Sequence, residues 1–442
     1  MSGQAEGKPA AVPQAAKQAG EIRARWAWVE PSVWSDGMVA ALERGVKGDR
    51  WFSLIDKVHR GQTLEKAWDK VRSNAGSGGV DGMSVAGFEK GCQTGLLALK
   101  EQLKQGRYQP LPVKRVWIPK LGSKEKRPLG IPAVRDRIVQ RALLLVMEPI
   151  FERDFAAHSY GFRPGRGCKD ALRRVDGMLK AGRRWTVDAD LKSYYDTMPQ
   201  AQLMEKVKEK IADGKVLGLI ESHLKQGVLE TGKGWEPTET GTPQGAIISP
   251  LLANIYLDGL DKLMENRGYA MTRYADDFVV QCQSREEAQA ALADIRQWVE
   301  ASGLKLHPQK TRIVDAETEG FEFLGYRFIG GKRYPRDQSI GKLKDAIRRK
   351  TRRCGGQSLP AIVASINPVL RGWFEYFKHS HKTVFRPLDG WVRMRLRSIL
   401  RQRARKKGRG RGSDHQRYPK QYFADHGLYS LVTARWPVCR PP

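Results

Sequence analysis

Two adjacent acids, Asp276 and Asp277, lie within Met271-Thr272-Arg273-Tyr274-Ala275-Asp276-Asp277-Phe278-Val279-Val280-Gln281-Cys282. β-Favouring residues on both sides predict a hairpin with the two carboxylates near its tip. Neighbouring carboxylates repel, so a structured turn rarely keeps both without a cation. Oxygen donors of this kind suit Mg²⁺, which prefers carboxylates, water and substrate phosphates to nitrogen or sulfur. Phe278, Val279 and Val280 would bury a strand directly behind the acids. A third acid is available in Arg184-Trp185-Thr186-Val187-Asp188-Ala189-Asp190. Read with period two, Trp185, Val187 and Ala189 share one face, and Asp188 and Asp190 share the other. Spacing leaves both acids open as the ligand.

Other segments must position these acids. Pro243-Gln244-Gly245 opens a largely apolar run, Ala246 to Leu257, that predicts a buried helix after Pro250. Gln244 at its mouth is placed either to hydrogen-bond template or nucleotide or to cap that helix. Tyr108 to Pro119 reads as a strand, and Lys114, Arg115, Lys120, Lys124, Lys126 and Arg127 make its hairpin strongly cationic. Upstream, Leu64, Ala67, Trp68 and Val71 have helical spacing that ends at Asn74-Ala75-Gly76. Gly78-Gly79-Val80-Asp81-Gly82 lacks the Lys and Ser/Thr of a phosphate-binding P-loop and reads as a structural loop. Toward the C-terminus, Val369, Leu370, Trp373, Phe374 and Phe377, then Trp391, Met394, Leu396, Ile399 and Leu400, predict the core of a helical bundle. The opposite face is basic: Arg393 to Arg411 holds ten basic residues and no acid. Such a face suits an A-form duplex gripped by its phosphates and 2′-hydroxyls.

Composition narrows the partners. The 442 residues carry 78 basic and 48 acidic side chains, a formal charge of +30, which favours a polyanion. No apolar run approaches the ~18–20 residues of a membrane span, so nucleic acid is the better reading. Cys92, Cys168, Cys282, Cys354 and Cys439 are scattered and odd in number, with no zinc-ligand spacing, and fit a reducing cytoplasm. Residues 1–20 have no apolar core and read as a disordered tail rather than a secretory signal.

The motifs carry a family resemblance. Tyr274-Ala275-Asp276-Asp277 resembles the catalytic box of reverse transcriptases, in the form found in group II intron-encoded proteins. Asp190-Leu191-Lys192-Ser193-Tyr194-Tyr195-Asp196 resembles their first aspartate box, and that match selects Asp190 as the metal ligand. Gly241-Thr242-Pro243-Gln244-Gly245 and Ile248 to Asn254 are similar to the box that supports template and nucleotide. Gly303 to Thr311 and Phe321 to Tyr326 follow as the last two palm boxes. Arg127 to Pro132 and Ser159 to Pro164 resemble the fingers boxes. The resemblance runs from about Leu64 to the C-terminus, and Trp373 to Arg403 is similar to the thumb, or maturase domain, of these enzymes.

That resemblance implies an α+β right-hand polymerase fold, fingers and palm around an antiparallel sheet, followed by an all-helical thumb. The expected division is a tail at 1–20, an N-terminal extension at 21–62, fingers and palm at 63–332, thumb at 333–404, and a basic linker with a small DNA-binding-like segment at 405–442. Two Mg²⁺ ions ~4 Å apart would be held by Asp190 and Asp276 with Asp277 nearby. The deoxynucleoside triphosphate would meet Lys120 or Arg127, Leu191, Gln244 and Lys310, and Tyr195 would stack under the deoxyribose and exclude a 2′-hydroxyl. A solvated surface lysine is the equal alternative for Lys310. Nucleic acid would meet Arg348, Arg349, Arg352, Arg353, Arg371, Arg393, Arg397 and Arg401. The implied partners are group II intron RNA, a DNA target and primer; the implied activity is RNA-directed DNA synthesis with assistance to splicing and target-primed mobility. Two alternatives are a free-standing reverse transcriptase used in defence or repair, and a catalytically silent RNA-binding splicing factor. The tail after Lys406 resembles short members carried by group IIC introns, and no HNH endonuclease cysteines follow it, which implies priming from a nascent strand or a single-stranded target.

Overall fold

The computed structural model describes residues 22–119, 126–230, 232–353, 355–406, 408, 410 and 412–439. Lys120, the tail at 1–20 and Cys354 lie outside them. The chain divides into two compact units, one of Met1–Val175, Ala189–Val280 and Glu286–Arg312, the other of Asp176–Asp188, Gln281–Arg285 and Ile313–Pro442.

In the first unit, α1 (Gly61–Asn74) buries Leu64, Ala67, Trp68 and Val71, the residues its spacing singles out, together with Thr63. It stops where Ala75 and Gly76 turn to positive φ. Helix α2 (Val134–Glu152) is buried along most of its length although Pro149 lies inside it. A proline has no N–H for the carbonyl four residues earlier. Here that carbonyl, on Leu145, accepts a 3.0 Å hydrogen bond from the Trp34 indole. Trp34, from the N-terminal extension, is thus fixed by the gap the proline opens.

Strands β1 (Val113–Pro119) and β2 (Lys126–Ile131) form the expected cationic hairpin, antiparallel with Lys114 opposite Ile131 and Pro119 opposite Lys126. The strand begins at Val113, later than Tyr108. Buried Asp136 accepts from the Tyr108 hydroxyl (2.6 Å) and from Leu111 N (3.0 Å), and Pro110 and Pro112 have no N–H to pair. Strands β4 (Val228–Glu230) and β5 (Gly234–Glu236) extend this sheet to the order β2-β1-β4-β5, whereas β3 (Trp185–Asp190) belongs to another sheet. Gly79, in the glycine-rich loop, lies so close to Ala133 that an added Cβ would sit 2.5 Å from its Cα, which supports a structural role for the loop.

Helix α3 (Ser249–Asn266) begins one residue before the expected Pro250, which sits in its first turn, and buries Leu251 through Leu257. The Ser249 hydroxyl donates to the Pro243 carbonyl at 2.9 Å, fastening the helix to the loop that carries Gln244. Strands β6 (Ala270–Tyr274), β7 (Asp277–Cys282) and β8 (Arg312–Asp315) form, with β3, a sheet of order β6-β7-β3-β8.

In the second unit, β9 (Phe321–Phe323), β10 (Tyr326–Ile329) and β11 (Lys332–Pro335) make an antiparallel meander. Helices α4 (Asp337–Lys350), α5 (Leu359–Phe377) and α6 (Phe385–Arg403) follow. Ile362, Ile366, Leu370 and Phe374 of α5 meet Leu388, Val392 and Leu396 of α6 and Leu343 and Ile347 of α4 in one core, each series at the four-residue spacing of a helix face. The C-terminal segment shares that core through Phe423 and Leu431. These α+β elements followed by helices agree with the expected fingers and palm and helical thumb.

Candidate active site

The acidic hairpin forms as its sequence predicts. Strand β6 ends at Tyr274, Ala275 and Asp276 make the turn, and Asp277 opens β7. Ala275 has φ 59°, a left-handed conformation that costs a non-glycine residue ~1–3 kcal/mol and persists only when neighbours enforce it. Arg273 is the main enforcer. Its guanidinium is fully buried; Nη1 donates to the Ala275 carbonyl and to Asn254 Oδ1, each at 2.9 Å. Nε reaches both carboxylate oxygens of buried Asp261, at 2.8 and 3.0 Å, and Nη2 joins the same carboxylate. Asn254 and Asp261 both stand on α3, so one arginine ties the turn to that helix.

The other side of the hairpin is held by the segment His158 to Gly161. Arg273 N donates to the His158 carbonyl (3.0 Å) and Tyr160 N to the Arg273 carbonyl (2.9 Å). Asn254 Nδ2 donates to the Gly161 carbonyl at 2.9 Å, and a Cβ on Gly161 would lie 2.3 Å from Ala275 N. Only glycine allows the backbones to approach this closely. Sequence reasoning missed Arg273, Asp261 and Gly161 as positioning residues. The available signal was an arginine inside an otherwise buried strand, since buried arginines are almost always paired.

Asp190 ends β3 and is fixed through its carbonyl, which accepts from His307 N at 2.8 Å, while Leu191 bridges Leu306. Its carboxylate is ion-paired with Lys310. Asp276 has its carboxyl raised above the ordinary range, chiefly by burial; the charge of Asp190 raises it further, while its own backbone N–H, Arg127 and Lys310 oppose the rise. Asp190, Asp276, Arg127 and Lys310 therefore share one electrostatic neighbourhood, although Asp190 and Lys310 are 120 residues apart in the chain.

Tyr195 is half-buried and packs edge-on to Tyr194, with ring centres 5.5 Å apart. Burial, and then the nearby Asp276 charge, push its phenol well above the ordinary tyrosine range. Tyr194 is an anchor: its hydroxyl donates to the Ala253 carbonyl at 2.7 Å. Thr242 N donates to the Tyr195 carbonyl (2.7 Å), and Gly241, at φ 75°, leaves room where a Cβ would lie 2.4 Å from that oxygen. Gln244 Nε2 donates to Asp196 Oδ2 at 3.3 Å, and its carbonyl accepts from Gly130 N of β2 at 2.7 Å. The Leu191 side chain is buried, at 3 % exposure.

Among the thumb arginines, Arg348, Arg349, Arg352, Arg353 and Arg371 are exposed. Arg393 is half-buried 4.0 Å from Asp389, and Arg401 is ion-paired with Asp414 at 2.6 Å. Arg397 corrects the sequence expectation. At 6 % exposure it donates from Nε to the Tyr418 carbonyl (2.9 Å) and lies over the Phe423 ring, bracing the C-terminal segment instead of facing a ligand.

The donor set fits a hard divalent cation. Asp190 and Asp276 offer oxygen only; a neighbouring charge works against ionisation of Asp276, and a lysine ammonium already sits on Asp190. Among the described residues no group of three or more His, Cys, Asp or Glu side chains forms a ready metal cage.

Residues 118–328 match the family model "Reverse transcriptase (RNA-dependent DNA polymerase)", and residues 340–418 match "Group II intron, maturase-specific domain". Protein YkfC of Escherichia coli (strain K12) is 34% identical over 345 residues, covering 69% of this chain and 86% of that protein. The group II intron-encoded protein LtrA of Lactococcus lactis subsp. cremoris is 40% identical over 200 residues, 45% of this chain and 33% of LtrA. An uncharacterized 91 kDa protein in the cob intron of Schizosaccharomyces pombe is 30% identical over 407 residues, covering 71% of this chain and 49% of its own length.

Proposed function

This chain belongs to the family of group II intron reverse transcriptases and maturases, and we propose that it extends a DNA primer on an RNA template at Asp190, Asp276 and Asp277. Its maturase-specific domain would bind a group II intron RNA and assist splicing, and the polymerase would support mobility by copying that RNA at a primed DNA target. The observation that carries the chemistry is the electrostatic coupling of Asp276 to Asp190 across a tightly held turn.

Asp190 and Asp276 would hold two Mg²⁺ ions with Asp277 beside them, and bound magnesium supplies activation of the primer 3′-hydroxyl and neutralisation of the triphosphate. Arg127 on β2 presents a planar fork suited to phosphate oxygens. Lys310 can exchange Asp190 for the triphosphate once that carboxylate has another cation. Tyr195, fixed by Thr242 and Gly241, would present its ring to the sugar and reject a 2′-hydroxyl. Among the described residues no helix is long and apolar enough to cross a membrane; we place the protein in the cytoplasm, bound to nucleic acid.

Primer extension on an RNA template by the wild type and an Asp276→Ala variant, with primer–template affinity measured for both, tests this reading. Synthesis should fall at least ~10³-fold, several kcal/mol of transition-state stabilisation, with affinity nearly unchanged. Extension by the variant at the wild-type rate would end the proposal.

A further inference from the structure

The thumb contains a small cavity that the polymerase site does not use. About 150 Å³ in volume, it is lined by Arg348, Arg353, Trp391, Met394, Arg395 and Ser398. Three of these are guanidinium groups and none is an acid. Arg395, half-buried on α6, is anchored on one edge: Nη2 donates to the Thr351 carbonyl at 2.7 Å, and Nε and Nη2 reach its hydroxyl at 3.1 Å. Its Nη1 has no hydrogen bond among the described residues. Arg353 has neither a hydrogen bond nor an ion pair there. Arg348 lies 5.6 Å from the centre of the Trp391 ring, with Lys344 5.9 Å from the same ring. The nearest balancing charge is Asp345, 2.6 Å from Arg348 in a solvent-exposed pair, which screens weakly.

Three like charges therefore line one cavity, and among the described residues only Arg348 has an ion-pair partner, the exposed Asp345. Burial and then the charges of Arg353 and Arg348 depress the basicity of Arg395, which records that repulsion. A cavity of this volume has room for one tetrahedral oxyanion. Guanidinium forks match phosphate oxygens bidentately.

We propose that Arg348, Arg353 and Arg395 form a seat for a single phosphate group, filled by one backbone phosphate of a nucleic-acid duplex and floored by Trp391. The duplex as source rests on the polymerase and maturase reading. Free phosphate shares the chemistry, so the test separates the two. The seat converts part of the thumb's diffuse positive face into one fixed register point.

Binding of the full chain to a short RNA–DNA hybrid is measured by anisotropy across a KCl series for wild type, Arg348→Gln, Arg353→Gln and the double variant. Thermal melting of each verifies folding; both substituted side chains are exposed. Each single change should weaken binding roughly tenfold and lower the slope of log K against log salt by about one. The double variant should lose little more than either single, because all three lose the same phosphate. A slope falling by about two in the double variant, or no change in any variant, would overturn the seat. Inorganic phosphate alone, at matched ionic strength, is then added to the wild type and the double variant. A rise in melting temperature confined to the wild type shows that the seat accepts free phosphate. No rise in either, with the non-additive hybrid result, assigns it to the phosphodiester. An equal rise in both, by placing the anion elsewhere, would also overturn it. If wild type fails to bind the hybrid while phosphate stabilises it alone, the duplex reading falls and the seat stands.

Discussion

Arg273 is the residue whose removal most cleanly separates positioning from stability. Arg273→Met strands the carboxylate of Asp261, which is 0% exposed, in the interior. Breaking a buried pair in this way costs ~3–5 kcal/mol. The change also removes the donor to the Ala275 carbonyl, and with it the brace on a left-handed turn. A second substitution, Asp261→Leu, removes the stranded charge, and apolar replacement of both partners should return stability to within ~1–2 kcal/mol of the wild type. It does not restore the brace. A shift of ~1 Å in a reacting group costs ~10²-fold in rate, so the double variant should be folded and slow. Urea unfolding gives the stabilities, and single-nucleotide incorporation at saturating primer–template gives kcat and KM. The expected pattern is low stability with low kcat in the single variant, and recovered stability with kcat still down ~10²-fold in the double. Recovery of kcat together with stability would refute a positioning role.

Other consequences can be checked separately. Tyr195→Ala should admit ribonucleotides, read as the ratio of kcat/KM for matched ribo- and deoxynucleoside triphosphates; an unchanged ratio would remove Tyr195 from sugar selection. Burial, and then Glu152, push Glu148 on α2 up to about 7, against the pull of Arg141. The unfolded chain releases that proton near 4.5, so the folded state binds more protons in between and stability falls as pH rises from 4.5 through 7. Glu148→Gln should therefore leave stability little changed at pH 4 and raise it at pH 8, by at most ~3 kcal/mol; equal effects at both pH values would contradict the assignment. Arg397→Ala should lower the urea midpoint while leaving hybrid affinity unchanged, because its guanidinium is committed to Tyr418 and Phe423.

Local signals were legible in proportion to how local their physics is. The faces of α1 and α5, the start of α3 beside Pro250 and the turn at Asp276 follow from periodicity and turn chemistry within a few residues. Strand β1 starts later than its sequence pattern predicts because Asp136, 25 residues beyond Leu111, decides where pairing begins. Asp188 and Asp190 were equivalent by spacing; in the folded chain Asp190 is the one whose charge bears on Asp276. Arg397 read as one more cation of a basic face, yet the C-terminal segment folds back over it. Pairings such as Arg273 with Asp261 or Lys310 with Asp190 have no sequence signature, since any of the 78 basic residues could have met any acid.

The proposal that Asp190, Asp276 and Asp277 serve one divalent centre can be tested without relying on polymerase activity. Fe²⁺ substituted for Mg²⁺ generates hydroxyl radicals that cut the backbone within a few ångströms of the bound ion, and mass spectrometry locates the cuts. Two clusters should appear, one at the end of β3 around Asp190 and one at the turn around Asp276 and Asp277, both suppressed by excess Mg²⁺ and both lost in Asp276→Ala. Cuts at only one of these places, or cuts that survive the substitution, would contradict a shared metal centre.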